Sequence, residues 1–206
     1  MIIYHSTKQG FLSDVGSNHI ETVVLEAYVK ATGKMVGKSE QDAWKKSLRH
    51  MRDVLFDPGI PSDAGVAIEF TIPQTSKRVD FMITGLDQER KERVVIIELK
   101  QWSEAEITSK DAIVNTGFYG EQTHPSYQAW IYAALLEGFY EVIQKDGIQI
   151  HPCAYLHNYI EDTVIRNEFY GAYVKKAPVF LEGETERNSL RTFIKQFIVS
   201  GDSTDI

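Results

Sequence analysis

The chain has 206 residues, 43% of them hydrophobic and 25% charged, with a formal net charge of -7. That is room for one ordinary α/β domain with a substantial core, and it excludes a disordered chain. The acidic balance excludes a generic nucleic-acid coat protein, whose affinity comes from Lys and Arg, and the single cysteine, Cys153, excludes an intrachain disulfide or a four-cysteine metal site.

No apolar run is long enough to cross a bilayer, and the start MIIYHSTKQGFL lacks a basic leader followed by an apolar stretch, so no membrane association and a cytoplasmic location are expected. The first predicted helix runs from Asn18 or His19 to about Thr32 and stops at Gly33, with Ile20, Val24, Ala27 and Tyr28 on its packing face. GKMVGKSE follows. It imitates a phosphate-binding loop, but the position that requires a glycine holds Thr32 and what precedes it is helical in pattern. The segment instead predicts a helix start, with Ser39 as the cap.

The second helix, Glu40 to about Leu55, carries an apolar stripe at Trp44, Leu48, Met51 and Leu55. One turn back along that stripe lies Glu40. Its opposite face, Lys45, Lys46, Arg49 and Arg52, is either solvated or a patch for a phosphate backbone. GVAIEFTIP reads as a strand ended by Pro73, with Glu69 at an interior position where acids are uncommon. Glu69 is either a metal ligand or a partner of Lys77 or Arg78.

Two further strands, Arg78 to Thr84 and Val94 to Lys100, are joined by a charged turn. In the first, Val79, Phe81 and Ile83 are expected on one face and Asp80 with Met82 on the other. In the second, VVII is apolar on both faces, the mark of a strand covered on both sides. Glu98 and Lys100 share one face at its carboxyl end. Alone they would read as a solvated ion pair. With Asp80 on the neighbouring strand, two acids and a lysine on buried strands carry a desolvation cost that a divalent cation and a bound anion would offset.

The segment QWSEAEITSKDAIVNTGFYGEQT reads as a loop with a short helical turn, a substrate-facing flap. A third helix starts at Pro125 and runs to about Gln144, with Gln128 and Tyr132 one turn apart on one face. Ile148 to Leu156 is a strand that Pro152 marks as an edge or bulged one, and His151 and His157 are read as structural or surface residues. A short APVFL strand and a helix from about Glu184 to Val199 close the chain. The tail GDSTDI has no core-closing element, consistent with a truncated chain or with a domain that leads into another.

Asp80 followed by Glu98-x-Lys100 at the end of a hydrophobic strand resembles the signature of the PD-(D/E)XK nuclease superfamily. Gln128 and Tyr132 in HPSYQAWIYA are similar to the Gln-x-x-x-Tyr motif of its RecB-type branch. GKSEQDAWKKSLRHM, GVAIEFTIPQTSKRVDFMITG, VVIIELKQWSEAE and THPSYQAW together resemble the amino-terminal domain of large bacterial proteins that continue into a Schlafen-group-like helicase/ATPase. The resemblance implies a restriction-endonuclease-like αβββαβ core, metal-dependent hydrolysis of nucleic acid, DNA above all, and an attached ATPase domain. It implies Mg²⁺ or Mn²⁺ held by Asp80, Glu98 and the Leu99 carbonyl, with Glu40 either a further carboxylate ligand from the helix before the first strand or a first-turn glutamate that complements the helix dipole. Lys100 would orient or deprotonate the water or offset phosphate charge, and Gln128 and Tyr132 would position the strand.

The chain departs from the pattern at Val79, where the motif's name has proline. The upstream RecB-type histidine has no clear counterpart, although His50 sits in the corresponding helix. A catalytically silent module that binds nucleic acid or a partner and regulates the ATPase is the alternative expectation.

Overall fold

The computed structural model describes residues 2–17 and 19–201; Met1, Asn18 and residues 202–206 are outside the described residues. In chain order the elements are β1 (Tyr4–Thr7), α1 (Lys8–Gly16), α2 (Ile20–Thr32), α3 (Lys38–Leu55), β2 (Gly65–Thr71), β3 (Arg78–Leu86) and β4 (Glu92–Lys100). Then come β5 (Glu106–Ile107), β6 (Ile113–Asn115), β7 (Glu121–Thr123), α4 (Pro125–Phe139), α5 (Glu141–Asp146) and β8 (Gln149–Leu156). The chain finishes with α6 (Asp162–Ile165), α7 (Gly171–Lys176), β9 (Val179–Phe180) and α8 (Glu184–Phe197). Among the described residues no helix is long and apolar enough to cross a membrane.

The architecture is a mixed six-stranded sheet, ordered β1-β2-β3-β4-β8-β9, with helices on both faces. β1 to β4 pair antiparallel, while β8 runs parallel to β4 and β9 parallel to β8. The parallel step needs a crossover, and α4 supplies it. Val66, Ile68, Phe81, Ile83, Val95 and Ile97 face a core closed by α1, α2, α3 and α8 through Phe11, Ile20, Leu48, Met51, Leu190 and Ile194. Ala67, Met82 and Ile96 face the other way, against Tyr132, Ala133 and Leu136 of α4. The VVII run is therefore covered on both sides, as its composition requires.

Several expectations change. β1 and α1 are additional, and the first predicted helix is α2, which starts at Ile20; Asn18 lies outside the described residues. α3 is capped by Gly37 with no side-chain bond, so Ser39 is inside the helix rather than its cap. GKMVGKS joins two helices and follows no strand. The third helix breaks at Tyr140, whose extended backbone ends α4 and begins α5. β8 is interior, not an edge, yet Pro152 is tolerated because short β9 pairs only with Ala154 and Tyr155, beyond it. The expected flap loop is a second sheet of three short antiparallel strands, β5-β6-β7.

The most informative correction concerns Val79. It packs with Met82 and not with Phe81 and Ile83, because the side-chain alternation of β2 and β3 changes phase at one point. That point is Glu69, whose φ is 55°, a left-handed conformation rare for a non-glycine residue. The β2–β3 ladder skips the Glu69–Asp80 step, pairing Ile68 with Phe81 and Phe70 with Val79. A strain of about 1–3 kcal/mol is typical of such a residue, and here it falls beside Asp80.

Candidate active site

Phe81 pairs with Ile97 across the β3–β4 hairpin, so one step further Asp80 stands opposite Glu98. The backbone amide of Leu99 donates to Asp80 Oδ2 at 2.8 Å and orients its carboxylate. Glu98 is 3% exposed and hydrogen-bonds Asp80. Lys100 Nζ lies 2.7 Å from Glu98 Oε1, with 18% of its side chain exposed. This is a buried ion pair, not a solvated one.

α4 crosses this strand end and delivers the amide. Gln128 Nε2 donates to Glu98 Oε1 at 2.6 Å and to the Tyr132 hydroxyl oxygen at 3.1 Å. Its Oε1 accepts from Lys100 Nζ at 3.2 Å. One planar side chain thus ties acid, cation and phenol together, as the one-turn spacing permits. The helix is aimed by His124, fully buried, whose Nδ1 accepts from the Ser126 amide and whose Nε2 donates to the Ile165 carbonyl at 2.9 Å.

Burial and the neighbouring Asp80 charge push Glu98 up to about 8, and burial raises Asp80 as well, against the pull of Lys100. Two touching carboxyl groups cannot both ionise cheaply in this setting, and a hydrogen bond between them requires a shared proton. Lys100 is the mirror case. Burial pulls its ammonium down, but Glu98 and Asp80 outweigh that and hold it above its ordinary value, so it stays a cation.

Glu40 and Glu69 are turned elsewhere. Glu69 Oε1 accepts from Trp44 Nε1 at 2.8 Å and its Oε2 lies 2.8 Å from Arg78 NH1, while Glu40 Oε1 lies 3.2 Å from Arg78 NH2. Of the two readings of Glu69, the pairing with Arg78 is formed. Burial, reinforced by Asp80, still pushes Glu69 up to about 7.

Two hollows open beside Asp80, of about 290 Å³ toward α3 and about 390 Å³ toward α4. They share Glu69, Arg78, Asp80, Leu99 and Lys100 as a common wall. Glu98, Gln128 and Tyr132 line the second, and Glu40, Trp102 and Tyr119 the first. The structure therefore gathers Asp80, Glu98, Lys100, Gln128 and Tyr132 into one group, with Glu40 and Glu69 behind it on Arg78. His50 is not in this group; it stacks on His157 at 4.3 Å.

Sequence reasoning named Arg78 as a partner for Glu69 but missed its pairing with Glu40, and it missed His124 as the cap of α4 and Tyr119 on the cavity wall. Only His124 left a signal, as a polar residue directly before a helix-starting proline.

The donor set bears on a metal. Among the described residues no group of three or more His, Cys, Asp or Glu side chains is gathered tightly enough to hold one. A zinc-type cage is therefore not what these residues offer. Two touching carboxyl groups with excess negative charge fit a hard divalent cation that takes one or two carboxylates and keeps waters.

Compared with family models, curated proteins and solved structures, the chain matches none.

Proposed function

We propose that this chain is a metal-dependent phosphodiesterase acting on nucleic acid, DNA in the first place, with a restriction-endonuclease-like fold of the PD-(D/E)XK kind. The observation that carries the reading is the buried Asp80–Glu98 carboxyl pair held in contact beside a charged lysine. The succession of α3, three antiparallel strands, α4 and a parallel strand supports the fold assignment.

Asp80, Glu98 and the main-chain carbonyl of Leu99 would hold Mg²⁺ or Mn²⁺. Such an ion, when bound, lowers the pKa of a water and offsets charge on the phosphate. The remaining work belongs to the chain's own groups. The Leu99 amide fixes the Asp80 carboxylate, and Gln128 fixes Glu98 and Lys100 in one plane. Lys100, kept protonated by the two acids, offsets negative charge on the scissile phosphate rather than taking a proton from water. Tyr132 supports Gln128 from behind and lines the hollow a strand would enter. Glu40 and Glu69 hold Arg78, and Arg78 holds the strained turn of β2 against α3.

The net charge of -7 favours a second reading, a silent module that binds nucleic acid or a partner and regulates an attached helicase/ATPase domain. In either reading the chain works as the nuclease-like part of a longer cytoplasmic protein. Linear, circular and single-stranded substrates incubated with Mg²⁺ or Mn²⁺ separate the two. Cleavage by the wild type that disappears in Glu98→Ala and Lys100→Ala supports the enzyme. Cleavage that survives both substitutions refutes it, and binding without cleavage selects the silent module.

A further inference from the structure

The small β5-β6-β7 sheet ends in a turn, Gly117-Phe118-Tyr119-Gly120, whose glycines take φ of 56° and 68°, a region glycine enters without steric cost. The Thr116 amide closes the turn on the Gly120 carbonyl at 3.0 Å. Between the glycines the chain presents two aromatic rings to water. Phe118 is 86% exposed and Tyr119 57%, packed edge to face on each other with centroids 4.8 Å apart.

The base of this arm is fixed. Val114 is fully buried in the cluster that contains Trp102, the Tyr170 hydroxyl donates to the Ile113 carbonyl at 2.7 Å, and the His124 amide donates to the Ala112 carbonyl at 2.8 Å. An anchored arm that ends in two exposed rings has no folding reason for them, since burial would be favourable. Tyr119 also forms part of the wall of the hollow that contains Asp80, Lys100 and Trp102. Lys100 and Tyr119 line the same hollow, so a ligand whose phosphate meets Lys100 can extend toward the arm. In a nucleic acid that moiety is a base, whose ring faces are free for an aromatic side chain only when it is unpaired.

We propose that Phe118 and Tyr119 form a stacking platform for an unpaired nucleobase adjacent to the scissile phosphate, so that the preferred substrate is a single strand or a frayed end. This rests on the nuclease reading. The arm supplies an affinity that the acidic net charge denies to the surface as a whole, because stacking is insensitive to charge.

The test uses the full chain with Mn²⁺ or Mg²⁺, a single-stranded oligonucleotide containing 2-aminopurine, and its duplex form. Wild type is compared with Phe118→Ala/Tyr119→Ala and with Phe118→Trp/Tyr119→Trp, and thermal unfolding checks that all three fold. The expected result is cleavage that favours the single strand, a KM for it raised about tenfold or more by the alanine pair, and recovery in the tryptophan pair. Quenching of 2-aminopurine should require the rings. A duplex cut as well as the single strand, or a KM unmoved by the alanine pair, overturns the platform and leaves the nuclease reading standing. Ring-dependent quenching without cleavage of any substrate overturns the nuclease reading and, with it, the platform's place beside a scissile phosphate, leaving only base stacking on the arm. Neither quenching nor cleavage overturns both, and a protein or the remainder of a longer chain is then the occupant of the arm.

Discussion

Asp80 stands between two sets of acids that the fold treats differently. Toward α3, one oxygen of Glu69 accepts from Trp44 and the other is ion-paired with Arg78 at 2.8 Å without a hydrogen bond, and Glu40 shares the same guanidinium. Toward α4, Asp80 and Glu98 touch each other, and the one ammonium there is paired with Glu98. The first set has a fixed, forked cation, which suits a structural role. The second keeps negative charge that only a proton or an added cation can meet. The difference teaches that acids near one strand end are sorted by what already satisfies them, not by proximity.

The largest effect should separate the sets by activity. Asp80→Ala or Glu98→Ala is expected to lower metal-dependent cleavage by at least about 10³-fold, and Lys100→Ala by about 10²–10³-fold, the scale of removing preorganised charge stabilisation. Glu40→Gln should cost less than about tenfold. Equal losses for Glu40→Gln and Glu98→Ala in single-turnover assays would erase the distinction.

Stability should show the reverse order. Arg78→Met leaves Glu69 buried without its cation and is expected to cost about 3 kcal/mol in urea unfolding, most of it recovered in the double variant with Glu69→Gln. Full additivity of the two changes would mean the pair is not coupled.

How much of this was legible follows from physical scale. The Asp80–Glu98–Lys100 group could be read because one hairpin with long, two-sided hydrophobic strands fixes its register. Gln128 and Tyr132 could be read because helical spacing is local. Three features could not. The phase change at Glu69 is a backbone conformation with no residue-type signal, and it moved Val79 to the other face. β5, β6 and β7 span two or three residues each, too few for a period to show. Arg78 could be matched to Glu40 only once α3 was packed on the sheet.

Acidity offers a finer probe, measured without divalent cations. Glu69, held up to about 7, and Glu98, up to about 8, bind their protons more tightly folded than at the ordinary value of 4.5. Their contribution is full below pH 4.5 and is lost as pH rises through 7 to 8. His124, held near 4 by burial against an ordinary 6.5, has the opposite sign. It stabilises fully above pH 6.5 and loses that as pH falls toward 4. Added Mg²⁺ should remove the Glu98 share of the alkaline loss while the Glu69 share and the acid loss remain; no change on the alkaline side, or a flattening of the acid loss as well, contradicts the assignment.

The smallest effect concerns the aim of α4. His124→Ala removes the cap and the Ile165 bond and should cost about 1–2 kcal/mol, with some loss of cleavage through Gln128. An unchanged melting temperature would remove His124 from the account.

The most direct test is calorimetric titration of the metal-free protein with Mn²⁺ near pH 7, in two buffers of different ionisation enthalpy. The Asp80–Glu98 pair predicts saturable binding with release of the shared proton, abolished in Asp80→Asn/Glu98→Gln. No binding, or binding undiminished in that variant, would contradict the central claim.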